Sequence, residues 1–140
     1  MNRGQLVGFR TDSRRFPVDG GRGVVGTCRD LTRQVIEEWC VLPEPEDRAL
    51  AEDVLLLVSE VVTNACTHGG SPYELRIDRA DGRLWIQVSD TSAVRPQPHR
   101  HRAAAPSGHG LYLLQRLSTR WGWAPRATGK AVWFEMPAPR

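Results

Sequence analysis

The sequence predicts a two-layer α+β sandwich: a mixed, mostly antiparallel sheet with its helices gathered on one face. Three observations carry this. Tyr73–Ile77 pairs naturally with Leu84–Val88, and Trp121–Trp123 with Ala131–Met136, each pair flanking a short turn. Two stretches of helical period, Gly23–Trp39 and Asp47–His68, precede the first hairpin. A third, shorter one at Leu111–Leu117 separates the two hairpins. Hairpin-linked strands with helices grouped apart are the pattern of segregated layers. At 140 residues, 25% charged and 40% hydrophobic, the chain has room for one globular core and not for two.

In chain order, residues 1–12 read as a flexible leader and residues 13–140 as one domain. Ser13–Asp19 is extended, with Phe16 and Val18 alternating and Pro17 marking an edge strand. Asp19–Gly20–Gly21 is a turn. In Gly23–Trp39 the residues Val24, Val25, Cys28, Leu31, Val35, Ile36 and Trp39 fall at three-to-four spacing, an amphipathic helix. A linker with Pro43, Pro45, Glu44, Glu46 and Asp47 follows, its acids suited to the positive end of the next helix.

That next helix, Asp47 to His68, organises the chain. Val54, Leu57, Val58, Val61, Val62 and Ala65 form its apolar stripe, and Gly69–Gly70 offer the left-handed stop that helix ends favour. Asp53, Glu60, Asn64 and Thr67 form a second, polar stripe beside it. Glu60 and Asn64 are one turn apart and point the same way. A carboxylate beside a carboxamide is poor core material; together they suit a hydrated divalent cation and acceptance of a proton. An ordinary solvated face is the plain alternative.

The first strand pair turns at Asp81–Gly82, a strong two-residue hairpin signal, and the return strand ends at Ser89–Asp90. An aspartate there suits an exocyclic amine such as that of adenine; it also suits simple turn initiation. Thr91–Ser107 has no periodicity and carries Pro96, Pro98, Pro106 and the basic Arg95, Arg100 and Arg102. A loop of that length is either functional or disordered, and its arginines suit an anion. Gly108–His109–Gly110 closes it before the Leu111 helix, so backbone N–H groups at a helix start can face a phosphate. The final hairpin turns at Ala127–Thr128–Gly129–Lys130.

Several function classes fall away. Net charge is +3 with scattered arginines and no aromatic ladder, so direct nucleic-acid binding is not expected. No apolar run spans a membrane, and Met1–Arg10 lacks a signal-peptide core, so a cytoplasmic protein is expected. Cys28, Cys40 and Cys66 are widely spaced and read as small packed thiols in a reducing compartment, Cys66 included. His99, His101 and His109 have no cysteine or carboxylate spaced to complete a zinc site.

Glu60-x-x-x-Asn64, Asp90 and Gly108-x-Gly110 stand in an order that resembles the histidine-kinase-like ATPase superfamily, and especially the small single-domain anti-sigma-factor serine/threonine kinases of actinobacteria. Glu60–Gly69 matches the signature ExxxNAxxHG, and Gly129–Pro137 resembles the closing stretch. The likeness runs from about Arg14 to Pro137. It implies a Bergerat-type ATP-binding fold with ATP and Mg²⁺ as cofactors. It implies that Asn64 ligates Mg²⁺, that Glu60 is the general base, and that Asp90 binds the adenine amine. Gly108 and Gly110 would cradle phosphates with His109 and Leu111 alongside, under a lid formed by Thr91–Ser107. The implied partners are an anti-sigma-factor antagonist, a sigma factor, or both, and the family often forms homodimers; Leu31, Val35 and Trp39 are the candidate dimer residues if exposed.

The chain departs from the family at two places. Asp-x-Gly-x-Gly is here Asp90–Thr91–Ser92–Ala93–Val94, without either glycine, and the region of Lys130–Ala131 lacks the hydroxyl that reaches adenine through water. A non-catalytic docking module is therefore the rival reading. A detached histidine-kinase output domain is disfavoured because the first helix holds no histidine.

Overall fold

The central helix places the rest of the chain. In the computed structural model, which describes residues 11–67, 70–94, 96 and 106–140, this helix, α2, runs Pro45–Cys66. Glu44 and Asp47 make a reciprocal capping box, and Pro45 occupies the first helical position. The helix thus begins two residues before the expected Asp47: the acidic linker is its cap. Every residue of the predicted apolar stripe is buried, with Val54, Leu57, Val58 and Val62 fully so.

The other elements are β1 (Thr11–Pro17), α1 (Val24–Trp39), β2 (Pro72–Ala80), β3 (Arg83–Asp90), α3 (Pro106–Leu117), β4 (Arg120–Arg126) and β5 (Gly129–Pro137). The strands form one five-stranded sheet in the order β1-β2-β3-β5-β4. Its pairings are all antiparallel rather than mixed. β1 lies at an edge, as Pro17 requires. Thr11 and Asp12, grouped by composition with the leader, are part of it, and Asp12 pairs with Arg79 at 2.7 Å. Asp81 (φ 54°) and Gly82 (φ 71°) are both left-handed, the backbone of the expected tight hairpin.

The helical layer covers one face of the sheet, with α2 between α1 and α3 and over β2, β3 and β5. Leu75, Ile77, Leu84, Ile86, Val88, Val132, Phe134 and Met136 point from the sheet into the shared core. On the opposite face Trp85 and Trp133 stack with ring centroids 4.2 Å apart, and Glu135 lies 3.2 Å from both Arg83 and Arg120. A side chain at Gly122 would meet the Trp133 ring at 2.6 Å, so that glycine lets the indole lie across β4.

Two expectations need correcting. Val35 is buried, and Leu31 and Trp39 pack against the core, so the α1 stripe is used internally against α2 and is no free dimer face. Cys66 is exposed, because the end of α2 turns it off the core stripe, while Cys28 and Cys40 are buried as expected.

Burial, with a smaller contribution from Cys66, pushes the Cys28 thiol up to about 11 from 9.0. The folded chain then keeps a proton that the unfolded chain releases, so stability is full below pH 9 and lost as pH rises toward 11. Urea titrations across that range should show a fall of about 2–3 kcal/mol attributable to this thiol. The Cys28→Ala variant should lose that component of the slope; an unchanged slope would refute the assignment.

Candidate functional site

The C-terminal end of α2 and the C-terminal end of β3 converge at one end of the sandwich. Three contacts hold them together. The Thr91 N–H donates to the Ser71 carbonyl at 3.1 Å, and the Ser71 N–H donates to Thr91 Oγ1 at 3.0 Å. Gly70 faces Ser92 so closely that an added Cβ would lie 2.5 Å from the serine Cβ. Cys66, at the last turn of α2, has its thiol pushed up by burial and then by the nearby Asp90 charge.

On α2, Glu60 is half-buried and Asn64 is buried at 5% exposure. Neither side chain has a hydrogen-bond or ion-pair partner among the described residues. The Asn64 carbonyl is spent locally, accepting from the Thr67 N–H and hydroxyl. A carboxylate and a carboxamide one turn apart, both without hydrogen-bond partners among the described residues, suit an external group.

Asp90 is the most buried acid of this region, at 1% exposure. Strand alternation explains it: Ile86 and Val88 face the helices, so Asp90 does too. Its Oδ1 accepts from the Ser92 N–H at 2.7 Å and from Lys130 Nζ at 3.0 Å. Its Oδ2 is buried and has no hydrogen-bond partner among the described residues. A buried acceptor left open costs about 1–3 kcal/mol, so such an atom calls for a ligand donor.

Lys130 was missed as a site residue. It is directly paired with Asp90 across β3 and β5, is 2% exposed, and also donates to the Ser92 carbonyl at 3.4 Å. The signal was present in the sequence: Val132, Phe134 and Met136 face inward, so period two puts Lys130 inward as well. The expected turn over Ala127–Lys130 is shorter, with β5 starting at Gly129. Gly129 has φ +113°, and an added Cβ would sit 2.0 Å from the Asp90 carbonyl oxygen.

Gly108, His109, Gly110 and Leu111 are placed differently from expectation. α3 begins at Pro106, so the Gly-x-Gly lies inside the first turns of the helix rather than in a loop before it. Proline's fixed φ suits the first helical position, which moves the start upstream. α3 packs on α2 and β4. Of the expected lid, only residues 91–94, 96 and 106–107 are described; His68, Gly69, Arg95, Arg100 and Arg102 lie outside the described residues.

Residues 27–136 match the family of the histidine kinase-like ATPase domain. The chain belongs to that family. Among solved structures it resembles the RsbU and RsbW domains of Rv1364c from Mycobacterium tuberculosis, with TM-score 0.62 and 18% identity. That likeness, which is one of fold, covers 92% of this chain and 33% of the other, so the chain spans about a third of that structure's length. No functionally curated protein matches the chain. Family membership makes this an ATPase-type, kinase-like domain. The residues fit the nucleotide the family implies: Asp90 Oδ2, open among the described residues, suits an exocyclic amine, and the side chains of Glu60 and Asn64, without hydrogen-bond partners among those residues, suit a phosphate-bound cation.

Gly129→Ala should destabilise the fold by at least about 2 kcal/mol, through strain at positive φ and collision with the Asp90 carbonyl. Gly82→Ala also stands at positive φ but meets nothing within 4 Å, and should cost only about 1 kcal/mol. Urea unfolding of the two variants checks the difference; equal losses would show that the approach to Asp90 imposes no constraint.

Proposed function

We propose that the protein is an ATP-binding regulatory serine/threonine kinase of the anti-sigma-factor type, acting in the cytoplasm. It transfers the γ-phosphate to a hydroxyl of an anti-sigma-antagonist partner and so controls transcription by partner switching. The observation that carries the ATP reading is the buried Asp90 carboxylate with one oxygen open among the described residues, its neighbour Thr91 bonded to the loop that leaves α2. The anti-sigma reading draws support from the ExxxNAxxHG signature and from the fold shared with a structure whose named domains include RsbW.

In this reading Asp90 accepts a hydrogen bond from the base amine and orients the nucleotide. Asn64 is the protein ligand of Mg²⁺, an ion that keeps most of its waters and takes phosphate oxygens. Bound there, Mg²⁺ supplies neutralisation of phosphate charge. Glu60 takes the proton from the substrate hydroxyl, and its neighbour Asn64 does not compete for that proton because a carboxamide is not basic. In this reading the free N–H groups of the first turn of α3, that of Gly108 among them, serve the phosphates, while His109, Gly110 and Leu111 stand deeper in the helix. Catalysis is then mainly positioning and charge neutralisation, as in phosphoryl transfer generally. The absent glycines after Asp90 favour one rival, a docking module that binds nucleotide weakly or not at all.

Calorimetry with ATP, with and without Mg²⁺, should show saturable Mg²⁺-dependent binding. Asn64→Ala should weaken it about tenfold or more. No heat at millimolar ATP from folded protein would leave only the docking module.

Glu60→Ala should leave the ATP affinity within about twofold yet slow phosphoryl transfer by about a hundredfold or more, the usual contribution of a general base. The readout is label from γ-labelled ATP appearing on candidate antagonist proteins. Transfer by the Glu60→Ala variant at the native rate would remove Glu60 from the chemistry.

A further inference from the structure

Two neighbouring polar atoms at the end of the sheet have capacity left over. Asp90 Oδ2 is buried and accepts from nothing among the described residues. Lys130 Nζ has three donors and, among the described residues, two acceptors: Asp90 Oδ1 at 3.0 Å and Ser92 O at 3.4 Å. Both side chains hang from directly paired strand residues and face the helical layer. Their spacing is therefore set by the sheet, and at 2% and 1% exposure neither side chain has room to wander. The result is an open acceptor and an open donor side by side.

We propose that Lys130 is a base-reading residue of the nucleotide site, forming with Asp90 a two-point recognition element for the amidine edge of adenine. The inference rests on reading this as an ATP site. Adenine presents an exocyclic amine that donates beside a ring nitrogen, N1, that accepts. Oδ2 of Asp90 takes the amine proton, and the remaining N–H of Lys130 goes to N1. An aspartate alone accepts from any amine. The pair also requires an acceptor at the adjacent ring position, and guanine offers these two functions in the opposite order. Lys130 lies in the region, Lys130–Ala131, where the resemblance leads one to expect a hydroxyl acting through water; here the donor is a charged ammonium group. A lysine whose whole role was to balance Asp90 would serve a nucleotide lacking N1 as well as it serves ATP.

That difference is the test. The full chain is titrated by calorimetry with ATP, with 1-deaza-ATP, in which a C–H replaces N1, and with GTP. The native protein should bind 1-deaza-ATP about tenfold more weakly than ATP, the order lost with a hydrogen bond from a charged donor, and GTP more weakly still. Lys130→Met should bind ATP and 1-deaza-ATP within about twofold of each other. Equal binding of ATP and 1-deaza-ATP by the native protein would overturn the role of Lys130 while leaving the nucleotide site standing. Retained discrimination in Lys130→Met would overturn it too. Failure of ATP to bind at all would overturn both readings. The native-protein comparison needs no variant, so it decides the matter even if Lys130→Met does not fold.

Discussion

The interaction on which this end of the molecule depends is the ion pair between Asp90 and Lys130. The two side chains are 1% and 2% exposed. Withdrawing two such charges from water costs several kcal/mol for each ion, and their mutual attraction only offsets that when hydrogen bonds complete the arrangement. Here the Ser92 N–H and the Ser92 carbonyl do so, one on each partner. An apolar pair would serve folding as well. What an apolar pair does not provide is a carboxylate oxygen held open beside an ammonium group. On the proposed reading, that open oxygen beside the ammonium group is what the pair supplies to a nucleotide.

The support comes from α2, whose two faces answer to different demands. One face, from Val54 to Ala65, is packed against the sheet and removed from water. The other carries Glu60 and Asn64, whose side chains make no hydrogen bond or ion pair among the described residues. A helix anchored this firmly by one face can hold unpartnered polar groups on the next without losing its position. The capping box at Glu44 and Asp47 fixes its start, and the Asp47 carboxylate also accepts from the Arg140 N–H at 3.0 Å. The central helix is thereby tied to the end of the chain as well as to the sheet.

The element order and the hairpins were legible in the sequence because they rest on local periodicity. Glu60, Asn64 and Asp90 were legible as candidates because each broke the apolar pattern around it. Two kinds of feature were not. Helix starts at Pro45 and Pro106 were placed late, because proline reads first as a breaker and only in context as a first helical residue. Lys130 looks locally like part of a turn, because its burial depends on a partner forty residues earlier that local pattern does not name. Only the β3–β5 register, which puts the two residues opposite each other, brings that partner into view.

The surroundings of Asp90 differ from the family pattern in where the glycines lie. Behind Asp90 the family pattern calls for two glycines, and this chain has Ser92 and Val94. Those residues are held by side-chain-to-backbone bonds: Asp90 accepts from the Ser92 N–H, and Ser92 Oγ accepts from the Val94 N–H at 3.1 Å. Such bonds fix the loop start where glycine would leave it loose. The steric room is supplied instead from neighbours in space. Gly70 faces Ser92, and Gly129 faces the Asp90 carbonyl, each closer than any side chain would allow. The glycines needed around the aspartate are thus present, but on the strand beside it and the loop across from it. The chain exchanges a flexible hinge after Asp90 for a rigid aspartate in a cradle built by other segments, and a rigid acceptor beside a rigid donor is what discrimination between bases requires.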